Sequence, residues 1–243
     1  MPRIRRRCLA GLAVLTLVTA GCSGFGSGVD VPEGIPPGPG APVPPIDIDA
    51  PGRAATQLQA WADEQGAANR IPVPALEAYG YAAAVLARSR PDCGIAWTTL
   101  AGIASVESKH GMHGSSSVHD DGTVTPPIRG IALDGAPGVA DIDDTDGGQL
   151  DGDTEHDRAM GPMQFIPETW RHWAVDANGD GVLDPDNIDD AALTAALYLC
   201  ARGGDLRTAE GWQQALLAYN QSGSYLRQVR HRAALYSVGA ELS

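Results

Sequence analysis

Glu107 closes the stretch GIAWTTLAGIASVESKHG, Gly94 to Gly111, which reads as a helix. At 100° per residue Leu100, Ile103 and Ala104 share its face, so the acid stands in line with the apolar stripe. A carboxyl held against apolar neighbours is desolvated. That disfavours the charged form, raises the pKa and keeps a proton available near neutral pH for a leaving group, which is what a general acid requires. The competing reading puts Glu107 in the last helical turn with its head in water and no chemistry to do.

A second constellation is Asp176-Ala177-Asn178-Gly179-Asp180-Gly181. It matches the first half of an EF-hand loop, in which alternate oxygen side chains wrap a hard cation and glycine allows the sharp turn. The twelfth position, where a bidentate Glu belongs, is Asn187, but Asp190 at the fifteenth opens the next helix. The pattern predicts a structural Ca²⁺ held by Asp176, Asn178, Asp180, the Val182 carbonyl and Asp190, with Asp184 reaching it through water. The alternative is a turn-rich acidic loop. The run DIDDTDGGQLDGD, Asp141 to Asp153, is read either as solvated acid or as an additional cation site. His110, His113 and His119 cluster without the ligand spacing that zinc demands.

The elements that must position these groups are helical. Ala54 to Ala67 carries Leu58 and Trp61; Pro74 to Arg88 opens on a first-turn proline and spaces Leu76, Tyr79, Ala83 and Leu86 as one face. Pro167 starts a short helix bearing Trp170 and Trp173. Ile188 to Ala201 has Asp189 and Asp190 at its positive end and Gly203 as its stop. Thr208 to Tyr219 and Tyr225 to Tyr236 follow. No strand or repeat stands out, so the fold is mostly α. His113 to Arg158 reads as one long loop, and a loop of that length in a compact domain is functional or mobile.

A chain of 243 residues with 43% hydrophobic content supports one core of ordinary size. Its net charge of −13 repels phosphate backbones and argues against a nucleic-acid partner. Residues 1–21 are laid out as a secretory signal, with Arg3, Arg5, Arg6 and Arg7 before an apolar run too short to span a bilayer. Thr19-Ala20-Gly21-Cys22 is similar to the lipobox of bacterial lipoproteins, with Thr19 where Leu, Val or Ile is usual. Lipidation at Cys22, giving a membrane anchor, and ordinary cleavage both remain open. Residues 23 to 52 hold 8 Pro and 7 Gly and are expected to form a disordered tether ahead of a catalytic domain at 53–243. Cys93 and Cys200 stand at helix ends in an exported chain, which predicts a disulfide over two buried thiols.

Four motifs in order, SVESKHG with Glu107, AMGPMQF with Met163 and Gln164, AVDANGDG with its cation loop, and AYNQSGSY with Tyr219, Asn220 and Tyr225, resemble the lytic murein transglycosylases of the membrane-bound B type. The similarity spans roughly Pro74 to Tyr236. It implies a lysozyme-like α+β superfamily fold with a glycan cleft, Glu107 as sole acid/base, and Gln164, Met163, Tyr219, Asn220 and Tyr225 binding the sugar in that cleft. The implied partner is the peptidoglycan glycan strand at an exported, cell-envelope location; no organic cofactor is implied. The chain departs from the pattern nine residues before Gln164, where Glu155 replaces a serine of the cleft. Glu155, Asp153 or Asp157 would then be the second carboxylate of a rival, hydrolysing muramidase. A third possibility is an inert glycan-binding protein that keeps the fold.

Overall fold

The computed structural model describes residues 31–239, so Cys22 and the leader lie outside the described residues. A 3-10 turn at Ala54–Leu58 leads into α1 (Gln59–Asn69), α2 (Val73–Ser89) and α3 (Trp97–Ser108). After a non-helical stretch come α4 (Pro167–Trp173), α5 (Ile188–Gly203), α6 (Ala209–Tyr219) and α7 (Gly223–Ser237). The fold is mostly α, as expected. α3 packs along α7, α2 against α5, and α5 against α6, so the apolar faces of α2, α3, α5 and α7 close one core around Tyr79, Trp97, Leu100, Ile103, Trp212 and Tyr236.

Capping explains several boundaries. Asn187, Thr208 and Ser222 each precede a helix and accept a first-turn amide, from Asp189, Gly211 and Tyr225 respectively. The end of α5 falls one residue beyond the expected stop, at Gly204, whose φ of 67° terminates the helix. Asp189, expected only to complement the α5 dipole, is fully buried and paired with the Arg53 guanidinium, which also holds Glu77 and the Pro74 carbonyl. One cation thereby ties the chain entry to α2 and α5, and removing a single partner of such a buried pair costs about 3–5 kcal/mol.

Two glycines set distances that matter to the site. Gly102 on α3 faces α7, and a Cβ there would come 2.9 Å from the Val229 carbonyl, so the two helices approach as closely as backbone allows. Gly161 has φ 66°, and a Cβ would overlap the Pro185 carbonyl. Glycine at this position lets the chain turn tightly between two segments of the site.

Two expectations need correction. Strands are present: β1 (Ser117–Val118) pairs antiparallel with β2 (Val124–Thr125), and β3 (Arg129–Ala132) with β4 (Arg158–Met160). Runs of two to four residues are too short for alternation to show. They hold because partners outside the hairpins anchor them: Val124 donates to the Asp186 carbonyl and Ile188 to that of Gly122. The described part of the Pro/Gly-rich segment is also not disordered. Val43, Ile46 and Ile48 pack on the core, Trp97 Nε1 donates to Ala41 (3.0 Å), Thr98 Oγ1 to Gly38 (2.8 Å) and the Tyr81 hydroxyl to Ile48 (3.2 Å). Proline lowers the freedom of the unfolded chain, so a few apolar contacts and side-chain donors suffice to order it.

Candidate active site

Glu107 sits in the last turn of α3, with Leu100, Ile103 and Ala104 of the same stripe fully buried. Its carboxyl is half-buried, and desolvation pushes its pKa up to about 7, opposed by the Tyr225 hydroxyl. That hydroxyl is buried with no partner in good hydrogen-bond geometry among the described residues, so it faces Glu107 without fully satisfying it. Burial and then the Glu107 charge push Tyr225 and Tyr219 well above the usual phenol range, which keeps both hydroxyls protonated as donors.

The α3 terminus is locked from several sides. Ser108 donates to the Pro162 carbonyl (2.6 Å) and accepts from the Gly111 amide (2.8 Å), joining the acid-bearing helix to the turn that carries Gln164. His110, with φ 62°, is buried between two phenols: its Nδ1 meets the Tyr79 hydroxyl (3.3 Å) and its Nε2 that of Tyr236 (2.9 Å). Burial drives His110 down to about 3, so it stays neutral and braces the helix end. His113 is exposed, and His119 bonds Thr125; the three histidines do not converge.

The turn after β4 supplies the other wall. Gln164 has φ 52°; its Nε2 donates to the Gly161 carbonyl (2.9 Å), and its Oε1 has no donor among the described residues. Met163 corrects an expectation. Its side chain is fully buried in the core, and only its carbonyl serves the site, accepting the Tyr219 hydroxyl at 2.7 Å. Tyr219 and Tyr225 stack with planes 4° apart and centroids 6.5 Å apart, and Phe165 meets Tyr219 edge-on. Tyr225 is itself buried, so it addresses Glu107 more than solvent, whereas Asn220 is exposed at the end of α6. The structure thus brings Glu107, Tyr225, Tyr219 and the Met163–Gln164 turn together.

The three acids considered as second carboxylates differ. Both oxygens of the buried Asp157 are taken by Thr145, and Asp153 is held down to about 2 by the Glu155 and His156 amides and by Arg158. Glu155 is exposed. The Asp176–Asp190 loop folds around its own amides: Asp176 accepts from Gly179 and Gly181, Asp180 from Val182, and Asp190 from Ala177 and Asp184. Asp190 is fully buried, and desolvation with the nearby Asp176 charge pushes it up to about 6. A separate group, Asp144, Asp146 and Asp157, places carboxylate oxygens within 4.8 Å of one another. The D-x-D spacing of that run was the visible signal; the participation of Asp157, eleven residues further on, was not. Ser108 and His110 were the other positions whose roles spacing alone did not reveal.

The site is thus one desolvated acid at a helix end of a mostly α domain, facing two buried phenols. Residues 157–222 match the family model described as Transglycosylase SLT domain. No curated protein and no solved structure matches the chain. The family match supports a lytic-transglycosylase type of enzyme acting on peptidoglycan, and hence on the cell wall. Gln164, the Asp176–Asp190 loop, Tyr219 and Asn220 fall within the matched segment; Glu107 and Tyr225 fall outside it and join it through the contacts above. The disulfide between Cys93 and Cys200 is present. No helix among the described residues is long and apolar enough to cross a membrane.

If the protonated Glu107 is the reactive form, kcat/KM should fall as pH rises through about 7, by about tenfold per unit above it. A rate that rises through that range would mean that Glu107 acts first as a carboxylate. Initial rates on a soluble glycan across pH 5 to 9, at constant ionic strength, distinguish these outcomes.

Proposed function

We propose that the protein is a peptidoglycan lytic transglycosylase that cleaves the β-1,4 bond between N-acetylmuramic acid and N-acetylglucosamine, with Glu107 as the only acid/base. The observation that carries this reading is the Glu107 carboxyl itself, lifted to about 7 by burial and faced by the protonated phenol of Tyr225. As an acid, Glu107 gives its proton to the bridging oxygen, and the bond from that oxygen to the muramyl C1 breaks. The developing positive charge at C1 is met by the sugar's own N-acetyl oxygen, so no second protein carboxylate is needed. Glu107, now ionised, takes the proton of the muramyl C6 hydroxyl, whose oxygen closes onto C1 as a 1,6-anhydro ring. The proton account closes on one residue, and no water enters. Tyr219, held by the Met163 carbonyl, and Gln164, with its free Oε1, are the cleft groups that orient the sugar.

The hydrolytic alternative is weakened by the states of Asp157 and Asp153, which are occupied by Thr145 and Arg158. Digesting purified sacculi and weighing the released muropeptides tests the choice: anhydro ends support the proposal, and reducing muramic acid ends, heavier by one water, overturn it. The membrane-bound B type, export by the 1–21 leader and lipidation at Cys22 belong to the same proposal. The disulfide supports the exported part of it, since such bridges persist in oxidising compartments.

Ca²⁺ in the Asp176–Asp190 loop is proposed as structural. Asp176, Asp180, Asp184 and the buried Asp190 fit a hard cation by donor type, and among the described residues no protein cation answers Asp190. The ion would brace the start of α5 and take no part in proton transfer. Thermal melting is expected to shift upward with Ca²⁺, by the equivalent of about 2.7 kcal/mol at a hundredfold excess over Kd. Identical melting curves in chelator and in excess Ca²⁺ would remove the ion from the proposal.

A further inference from the structure

Beside Glu107 lies a cavity of about 530 Å³, lined by Arg70, Lys109, His113, Gln228 and Arg232 in addition to the α3 terminus. A second cavity of about 370 Å³ adjoins it, sharing Gln228 and Arg232 and adding Arg227 and His231. The two form a trough that starts at Glu107 and continues along α7. Among the described residues that line the trough, Glu107 is the only acid.

This concentration of positive charge is out of keeping with the rest of the chain. The net charge is −13, and the single lysine of the whole sequence, Lys109, stands here. α7 carries Arg227, Arg230, His231 and Arg232 and no acid. Local helix electrostatics do not account for them, because none lies in the last turn, where the helix dipole would favour a cation. Arg227 and Arg230 stand at a helical spacing at which like charges repel. Arg53, Arg88, Arg129, Arg158 and Arg207 each have a carboxylate partner and Arg202 lies over the Trp173 and Tyr198 rings; Lys109, Arg227 and Arg232, like Arg90 and Arg171 elsewhere, form no ion pair among the described residues, but only these three are gathered along one trough. Unpaired cations in a cleft, with their mutual repulsion left uncompensated, mark a place for a ligand anion.

Resting on the proposed function, we infer that the trough binds carboxylate carried by the 3-O-lactyl arm of the muramyl unit held at Glu107. C3, which bears that arm, belongs to the same ring as the C1 that loses the glycosidic bond, so the arm enters the cleft with the reacting sugar. The carboxylate has two sources. On a peptide-free strand it is the lactyl carboxylate itself, which would sit against Lys109 and Arg232. On a substituted strand the lactyl group is amidated, and the acidic groups of the stem peptide reach further, toward Arg227 and His231.

The test is binding of three probes to the full-length protein in a Glu107→Gln background: a neutral N-acetylglucosamine tetrasaccharide, a peptide-free N-acetylglucosamine–N-acetylmuramic acid tetrasaccharide, and the same chain bearing stem peptides. At least one anionic probe is expected to bind more tightly than the neutral one, with an advantage that collapses as salt rises. Lys109→Asn, which tolerates the left-handed conformation at φ 54°, and Arg232→Gln are each expected to weaken anionic probes on the order of tenfold and to leave the neutral probe unchanged. Arg227→Gln separates the sources: a loss confined to the peptide-bearing probe assigns the trough to the stem, and no loss assigns it to the lactyl carboxylate. Equal affinity for neutral and anionic probes, or equal losses on both in variants that melt like the parent, overturns the inference. Wild-type protein that cuts sacculi without this discrimination would leave the proposed function standing. Failure to cut sacculi would fall on that function, and the binding comparison would still report on the trough.

Discussion

Glu107→Gln is expected to fold as the wild type does and to lose activity on sacculi by at least the 10² to 10⁴ that general acid/base assistance is commonly worth. Glutamine keeps the size of the side chain and its place between α3 and Tyr225, but it can neither protonate the glycosidic oxygen nor accept the C6 proton. Both duties fall on one residue in the proposed mechanism, so the loss belongs at or beyond the upper end. Stability supplies an independent readout. Burial raises the carboxyl to about 7 in the folded protein, against about 4.3 in the unfolded chain. The folded state therefore binds the extra proton between those values, and the wild type gains stability as pH falls from about 7 toward about 4.3. Each unit of difference is worth at most about 1.4 kcal/mol, since the carboxyl keeps some contact with solvent. The Gln variant should melt no lower than the wild type above pH 7, and the difference should shift toward the wild type on acidification. Activity within tenfold of wild type in Glu107→Gln would remove this residue from the chemistry and turn attention to the exposed Glu155.

The second large effect is expected from the disulfide. Cys93 and Cys200 are 107 residues apart, with their Cα atoms at 5.4 Å. Closing a loop of that length stabilises by about 4.7 kcal/mol in the chain-entropy view. The Cys93→Ser, Cys200→Ser double variant should melt on the order of 10 °C lower. The bridge joins the approach to α3 to the end of α5, and Leu206 donates to the Cys93 carbonyl at the same place (2.7 Å). Glu107 lies at the far end of α3, so activity well below the melting temperature should survive. Melting by circular dichroism with and without reductant, alongside turnover at low temperature, separates these effects. An unchanged melting temperature would mean that the bridge closes no costly loop.

Most of the helical frame was legible in the residues. α2, α3, α5, α6 and α7 follow from apolar spacing, with a capping residue or proline at the start of all but α3, because a helix is a local structure whose stripe and ends are written within a dozen or so residues. The position of Glu107 in the α3 stripe is local in the same sense, and so is the Asx-turn character of Asp176 to Asp180. The His113 to Arg158 segment was less legible. Its strands are two to four residues long and are stabilised by partners some sixty positions away, such as Asp186 for Val124, so no window within the segment contains the cause.

By itself the amino-acid sequence determined that the protein is mostly α, that one carboxylate lies on an apolar helical face, and that two cysteines are available for pairing. These properties depend on residue type and near-neighbour spacing. Only the tertiary structure decided what surrounds Glu107: Tyr225 from α7, the Ser108 link to Pro162, and the neutral His110 between Tyr79 and Tyr236. It also decided that the proline-rich strap is ordered, that Met163 offers its carbonyl and not its side chain, and that Arg232 of α7 lines the same cavity as Glu107. The physical reason is common to all of these. Desolvation and hydrogen-bond pairing depend on which distant segments are brought within a few ångströms, and close approaches such as Gly102 against Val229 are set by the packed core as a whole.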